Sequence, residues 1–255
     1  MEPPAHIGRY EVELLLGEGG IARVWLARDP VVRRQVAVKV LRDDLGLTPD
    51  QSRALAERVR QEARAAATVA HPGIVSLYDM GDDERSNLYL VFELVRGPSL
   101  RERLHEGPLP AIDVALIARV LGQALSHAHG AGLVHRGVNP ENVMLAPAGP
   151  KLTDFGTSPA SPRTPAYSAP EVLASGSYAA ASDEFALACT MYEALTGQCA
   201  FAGHDPAAIA AQIASGKHAP PRSVLPSLRG FLRLDSLFAR ALAVDPSRRF
   251  SSCEE

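Results

Sequence analysis

The sequence lacks the features that would assign it to a disulfide-bonded, membrane-bound or nucleic-acid-binding class of protein. It has only three cysteines, Cys189, Cys199 and Cys253, without the spacing of metal ligands, which indicates reduced thiols. No uninterrupted apolar run approaches the length of a membrane span, and Met1 is not followed by a secretory signal. Charges of both signs are interleaved, with a formal net charge of -3 and no basic block. We therefore expect a cytoplasmic protein that binds neither nucleic acid nor a membrane.

The order of predicted elements divides the chain into a strand-rich first third and a mainly helical remainder. Thr48-Pro49-Asp50-Gln51 predicts a helix start with a capping box, and Ser99 and Glu102 predict a second one. Residues 94–98 break the strand pattern before that second helix. The last five residues resemble the first turn of a further helix, which we expect to be truncated. Predicted strands cover residues 10–16, 23–27, 35–40, 74–78 and 88–92, and predicted helices cover 111–129, 182–196, 206–215 and 228–243.

Two motifs in the strand-rich part have residue types suited to phosphate binding. Gly17-Glu18-Gly19-Gly20 lies between two predicted strands, where glycines let backbone amides approach phosphates, although an ordinary hairpin turn has the same composition. Val36-Ala37-Val38-Lys39 places a lysine on an apolar strand, and Glu62 interrupts the apolar face of the first helix. A buried charge is costly without a partner, so Lys39 and Glu62 each need an oppositely charged group unless Lys39 snorkels from an edge strand and Glu62 is solvated.

Three further motifs follow in the helical part. The first is His135-Arg136-Gly137-Val138-Asn139-Pro140-Glu141-Asn142, and the second is Lys151-Leu152-Thr153-Asp154-Phe155-Gly156. The third is Pro165-Ala166-Tyr167-Ser168-Ala169-Pro170-Glu171, with Asp183 and Arg249 later in the chain.

In this order the motifs closely resemble those of protein kinases, over about residues 8–250. Residues 192–197 and 243–250 are most similar to bacterial serine/threonine kinases of the eukaryotic-like type. The resemblance implies an α+β fold, with a single bilobal kinase domain over residues 1–255. A small antiparallel β-sheet lobe with one helix would cover 1–93, a hinge 94–98, and a larger, mainly α-helical lobe 99–255.

The same resemblance implies ATP and Mg²⁺ as cofactors and assigns a role to each matching residue. The metal would be held by Asn142 and Asp154, and an ion pair between Glu171 and Arg249 would stabilise the large lobe. The resemblance further implies three sets of nucleotide contacts. The adenine would be contacted by the side chains of Leu16, Val24, Ala37 and Met144, and its edge would be bonded by the backbone from Glu93 to Val95. The phosphates would be bound by Gly17, Gly19, Lys39 and its partner Glu62.

The catalytic loop departs from the family pattern H-R-D-x-K-x-x-N at its two chemically active positions. His135 and Arg136 are retained, but Gly137 replaces the Asp and Asn139 replaces the Lys. Glycine has no side chain, and an amide is neither a base at neutral pH nor a cation. Since acid–base groups contribute about 10²–10⁴-fold, turnover of roughly 1–100 s⁻¹ should fall to on the order of 10⁻⁴–1 s⁻¹. Thr164, which matches the Thr that bonds those two residues, has lost both partners.

Three hypotheses follow from this combination. The leading one is a signalling domain that binds Mg-ATP and transfers phosphate poorly or not at all, as a pseudokinase. The second is an active, atypical serine/threonine kinase, for which Glu141 is the nearest carboxylate in the loop. The third is a scaffold that binds no nucleotide. The sequence does not identify a protein partner or substrate.

Overall fold

The computed structural model describes residues 4–155 and 165–255, which divide into two compact units. The first unit contains residues 4–70 and 75–95, and the second contains residues 71–74, 96–155 and 165–255. The break between residues 95 and 96 lies inside the predicted hinge at 94–98. The short segment His71–Ile74 belongs to the second unit, which the sequence did not indicate.

The first unit is an antiparallel sheet with one helix, as predicted, but the sheet has six strands where five were expected. Its strands have the order β1-β2-β3-β4-β6-β5. The strands are β1 (His6–Ile7), β2 (Tyr10–Glu18), β3 (Ala22–Asp29), β4 (Arg34–Leu41), β5 (Leu77–Asp82) and β6 (Leu88–Glu93), and the helix is α1 (Pro49–Ala66). Alternation along β4 buries Val36 and Val38 in one core cluster, with Trp25 and Val91, while α1 packs Val59 against Leu90 in a second cluster.

Both predicted capping boxes are confirmed. The Thr48 hydroxyl accepts a hydrogen bond from the Gln51 N–H, and the Gln51 side chain accepts one from the Thr48 N–H at 2.9 Å. Ser99 and Glu102 make the same reciprocal pair at the start of the next helix. Each box satisfies two backbone N–H groups that the first helical turn would otherwise leave without a partner.

The second unit is mainly helical. Its helices are α2 (Leu100–Leu104), α3 (Ala111–Gly130), α4 (Pro170–Ser175), α5 (Ala180–Thr196), α6 (Pro206–Ser215), α7 (Pro221–Val224) and α8 (Leu234–Ala241), and its hairpin is formed by β7 (Val143–Ala146) and β8 (Gly149–Leu152). Every residue of α5 from Ser182 to Thr196 is buried, and α3 packs against α5 and β8. The side chains that position the candidate site come largely from these three elements.

Three predicted elements were wrong. The helical turn expected at residues 251–255 is not formed, and these residues make bends and turns instead. The strand predicted at 74–78 is β5, three residues later, because Ile74 instead forms a bridge with Leu152 of the second unit. The helix predicted at 228–243 is interrupted. A 3-10 helix ends at Gly230, Phe231 has a non-helical backbone, and α8 begins only at Leu234.

Helix α3 has the length and apolar composition to cross a membrane, and it is the one such helix in the part of the chain that the structure describes. Seven of its residues are buried inside the second unit, among them Leu121, Leu125 and Ala128. It is therefore a core helix of this unit.

The predicted ion pair between Glu171 and Arg249 is confirmed. The guanidinium donates to both carboxylate oxygens at 2.8 Å, and to the backbone oxygens of Ala181 at 2.7 Å and Ala243 at 2.9 Å. Burial disfavours the charged carboxylate, but Arg249 keeps the pKa of Glu171 below its ordinary value. This ion pair is costly to break, because the buried Arg249 would be left without a charged partner.

The buried carboxyl group of Glu184 on α5 makes the stability of the fold depend on pH. Burial raises its pKa from 4.5 to about 7, although it accepts a hydrogen bond from the Phe250 N–H at 2.6 Å. Between these two pKa values the folded state holds a proton that the unfolded state has released, so stability falls as pH rises.

We predict that Glu184→Gln removes this dependence, because a glutamine accepts the same hydrogen bond without charge. As the pH rises from about 5 to about 8, the free energy of unfolding of the variant relative to that of the wild type should increase by on the order of 1–3 kcal/mol. Urea unfolding at both pH values measures this gain, with Glu254→Gln at an exposed position as the control. An equal gain in the control would contradict the assignment.

Candidate functional site

The glycine-rich turn of the first unit has an open face. It connects β2 to β3, and the Gly19 N–H donates to the Ala22 oxygen at 2.8 Å. A methyl group placed on Gly17 would meet no atom within 4 Å, and one on Gly19 would meet only the Ala22 oxygen, at 3.6 Å. The backbone here has room for a ligand to approach closely, as phosphate binding to a glycine loop requires.

Four charged side chains brace this turn. Arg42 donates to Asp44 at 2.7 Å and to Glu18 at 2.8 Å, and Arg23 donates to Asp44 at 2.6 Å. Arg42 also bonds the turn directly, since its side chain donates to the Gly19 oxygen at 3.2 Å. The two guanidinium groups keep the pKa of Asp44 well below its ordinary value. The sequence showed these residues only as ordinary surface charges.

Lys39 lies on the face of the sheet that α1 covers. Along β4 it shares a face with Ala37, and it stands opposite Leu90 of β6. Leu90 packs against Val59 of α1, and Glu62 follows Val59 by three residues, on the neighbouring position of the same helix face. The strand and helix thus place the predicted partners on the same side of the sheet.

The residues expected near an adenine lie along the same part of the sheet and in β7. Leu16 is the unpaired residue of a β-bulge next to the glycine turn, and Val24 stands opposite Lys39. The Glu93 N–H donates to the Ser76 oxygen at 2.9 Å, and Val95 is the last residue of the first unit. Met144 of β7 pairs with Lys151 and forms a bridge with Ser99 in the second unit.

The catalytic loop of the second unit is attached to α5 by one carboxylate. Asp183 is buried and accepts hydrogen bonds from the backbone N–H groups of His135 at 2.7 Å and Arg136 at 2.9 Å. The ring of His129 lies 2.8 Å from the same carboxylate. These bonds hold Arg136 at a φ of 67°, a conformation that costs a non-glycine residue about 1–3 kcal/mol.

His135 is a neutral structural link. Its Nδ1 accepts from the Gly137 N–H at 3.1 Å, so its Nε2 carries the proton and donates to the Thr153 oxygen at 3.0 Å. Its ring packs against Phe155, with centroids 4.4 Å apart. Complete burial lowers the pKa of His135, because a charged imidazolium is poorly solvated there. His135 therefore connects two motifs and does not supply a solvent-accessible base.

The carbonyl oxygen of Gly137 is the meeting point of two side-chain amides. Asn139 Nδ2 donates to it at 3.1 Å, and Asn142 Nδ2 donates to it at 2.8 Å. Asn139 Oδ1 in turn accepts from the backbone N–H groups of Glu141 at 2.8 Å and Asn142 at 3.2 Å. The side chain at the lysine position of the family is thus used inside the loop, which its sequence position did not reveal.

The candidate metal ligands Asn142 and Asp154 are brought together by the β7–β8 hairpin. Val143 pairs with Leu152, and the Thr153 N–H donates to the Asn142 oxygen at 3.0 Å, which places both ligands at one end of the hairpin. Asp154 has a φ of 65°, which marks a second constrained backbone position. The amide and carboxylate oxygens fit Mg²⁺, which commonly takes one or two protein ligands and completes its shell with phosphates and water.

Among the described residues, no group of three or more His, Cys, Asp and Glu side chains forms a metal site. The donor set at Asn142 and Asp154 therefore suits a metal that arrives with a nucleotide, because two protein ligands alone make a weak site.

A buried polar network near the end of the third motif was also missed by sequence reasoning. Arg101 of α2 donates to Glu193 of α5 at 2.6 Å and to the Tyr167 hydroxyl at 2.5 Å, and that hydroxyl donates to Glu193. Burial raises the pKa of Tyr167, so it stays a donor. Three residues far apart in sequence form this network, and no local pattern predicts it. Thr164 lies outside the described residues.

Comparison with known proteins identifies the family. The model of the protein kinase domain matches residues 10–255. The chain belongs to the protein kinase family. Over its whole length it is 38% identical to a probable serine/threonine-protein kinase of Streptomyces coelicolor and 36% identical to the serine/threonine-protein kinase PknB of Mycobacterium leprae. It spans 40% and 43% of those proteins.

Solved structures agree with this assignment. A mutant of the PknI kinase domain of Mycobacterium tuberculosis is 29% identical with a TM-score of 0.79, and the match covers 100% of this chain and 96% of that one. Rad53 in complex with AMP-PNP is 26% identical with a TM-score of 0.81, and the match covers 96% of this chain and 63% of that one. The predicted α+β protein-kinase fold and the resemblance to bacterial serine/threonine kinases are confirmed.

We predict that Arg42→Met loosens the glycine-rich turn of this kinase domain, because Gly19 loses its side-chain contact and Asp44 loses one of two cationic partners. Hydrogen exchange of the Gly19 amide should become several-fold faster, while the midpoint of urea unfolding stays close to the wild type. Arg28→Met removes an exposed arginine from the same sheet and serves as the control. Equal exchange in both variants would show that Arg42 does not brace the turn.

Proposed function

We propose that this chain is a serine/threonine kinase-like signalling domain that binds Mg-ATP and transfers phosphate little or not at all. The observation that carries the proposal is the catalytic loop, in which Gly137 has no side chain and the amide of Asn139 is bonded within the loop. Neither position offers a base or a cation to a reacting phosphate. The loop keeps its attachment to Asp183, so its backbone remains ordered without its chemical groups.

Nucleotide binding is supported separately in each unit. In the first unit, the open glycine turn would bind phosphate through its backbone, and Lys39, on the side of the sheet where Glu62 lies, would add a positive charge. In the second unit, Asn142 and Asp154 would hold Mg²⁺, which neutralises phosphate charge when bound. Leu16, Val24, Ala37 and Met144 would contact the adenine, and the backbone from Glu93 to Val95 would bond its edge.

The second candidate function is slow phosphoryl transfer to protein hydroxyls. It is favoured by the intact attachment of the loop and by Glu141, an exposed carboxylate in the 3-10 helix that follows Asn139. Phosphoryl transfer depends mainly on positioning and electrostatic stabilisation, so a site with Lys39, Asn142 and Asp154 could retain some rate.

We further propose that the domain works in the cytoplasm with a protein as its partner or acceptor. The chain spans less than half of the curated relatives reported above, so the activity, location and partners of the whole protein belong to this proposal.

Two measurements on the wild type and on Lys39→Met test the proposed function. We expect Mg-ATP to raise the melting temperature of the wild type and to raise that of Lys39→Met much less, because bound ligand stabilises only the folded state. We expect transfer of labelled γ-phosphate to a generic protein acceptor to be equally low for both.

Transfer by the wild type well above the Lys39→Met level would contradict the proposal and support the second candidate. A wild type whose melting temperature does not respond to Mg-ATP would instead support a scaffold that binds no nucleotide.

A further inference from the structure

The side chain of Asn139 makes more contacts than a helix cap requires. It precedes the 3-10 helix Pro140–Asn142 with an extended backbone, and its Oδ1 caps the N–H groups of Glu141 and Asn142. A serine or aspartate oxygen could do the same. Asn139 also uses its Nδ2, which donates to the Gly137 oxygen at 3.1 Å. The Oδ1 and Nδ2 atoms of one side-chain amide therefore bond two different parts of the loop.

Both the Oδ1 and the Nδ2 of Asn139 constrain Asn142. The Asn142 N–H donates to Asn139 Oδ1 at 3.2 Å as well as to the Asn139 backbone oxygen at 3.1 Å, and Asn142 Nδ2 donates to the same Gly137 oxygen that Asn139 Nδ2 bonds. With Nδ2 used in this way, the polar atom that the Asn142 side chain can present to a cation is Oδ1. The orientation of that oxygen therefore depends on where the Gly137 oxygen lies and on the backbone position of Asn142.

We propose that Asn139 is a positioning residue that presets Asn142 for Mg²⁺. The inference rests on the proposed binding of Mg-ATP. A lysine at this position has three donors and no acceptor, so it could not cap the Glu141 and Asn142 N–H groups. The replacement by asparagine exchanges a charged group for one that orders the metal ligand. Groups that orient a metal ligand typically change metal affinity by about 10–100-fold when removed.

Two variants separate the roles of the two amide atoms, and a third is a control. Asn139→Ala removes both Oδ1 and Nδ2, whereas Asn139→Ser keeps an oxygen for capping but is too short to reach Gly137. Asp245→Ala is the matched control, because Asp245 caps the 3-10 helix Pro246–Arg248 through the Ser247 N–H at 2.9 Å, in the same residue-then-proline arrangement. That helix carries neither of the proposed metal ligands.

The first arm of the experiment needs no metal. Hydrogen exchange of the Glu141 backbone amide and the Asn142 side-chain amide is followed by NMR in the presence of EDTA. We expect both amides to exchange at least about tenfold faster in Asn139→Ala, because the Glu141 N–H loses its acceptor Asn139 Oδ1 and the Gly137 oxygen that accepts from Asn142 is no longer held by Asn139. In Asn139→Ser only the side-chain amide should exchange faster. Wild-type exchange rates in Asn139→Ala would overturn the proposal.

The second arm is a Mg²⁺ titration at saturating ATP, followed by the melting temperature. We expect the Mg²⁺ dependence to shift to roughly tenfold higher concentration in Asn139→Ala and in Asn139→Ser, while ATP binding in EDTA and the Asp245→Ala control stay unchanged. An unshifted Mg²⁺ dependence in Asn139→Ala would overturn the proposal. If the wild type binds no Mg-ATP, the proposed function fails, and the exchange arm alone decides whether Asn139 positions Asn142.

Discussion

The arrangement of the catalytic loop depends on the carboxylate of Asp183. It lies on α5, the most thoroughly buried helix of the second unit, and accepts hydrogen bonds from the N–H groups of His135 and Arg136. A buried backbone N–H without a partner costs about 1–3 kcal/mol, so the loop has little freedom to leave this position. His135 then extends the attachment to the second motif through the Thr153 oxygen. A side chain fixed on a rigid helix thus orders two loops by their backbones.

This mode of attachment explains how the loop can lose its chemical groups and stay ordered. None of the bonds from Asp183 involves the side chains at positions 137 and 139. Gly137 contributes its N–H to His135 and its oxygen to two asparagines, and any residue except proline could make these contacts through its backbone. The scaffold of a kinase site and its catalytic chemistry are therefore separable here. The family assignment describes the scaffold, and only the residues present describe the chemistry.

Much of the fold could be predicted from the sequence because its signals are local. Capping boxes at Thr48 and Ser99 use residues three positions apart, and the alternation of β4 is visible within eight residues. One error came from a contact between distant segments. Ile74 reads as part of a strand by composition, but Leu152 holds it in the other unit. Likewise, Arg23 with Asp44, Arg42 with Glu18, and the network of Arg101, Tyr167 and Glu193 join residues that no local pattern connects.

The candidate site was predicted residue by residue, but the role of Asn139 was not. Its sequence position shows only that a lysine is missing, whereas the structure shows three hydrogen bonds that the new side chain makes. The central claim is that the loop keeps its backbone arrangement and lacks only the aspartate and lysine side chains of the family at positions 137 and 139. The most direct measurement is the rate of γ-phosphate transfer by Gly137→Asp combined with Asn139→Lys, beside the wild type. The account predicts a rise of at least about 100-fold. An unchanged rate in a folded variant that still binds Mg-ATP would contradict it.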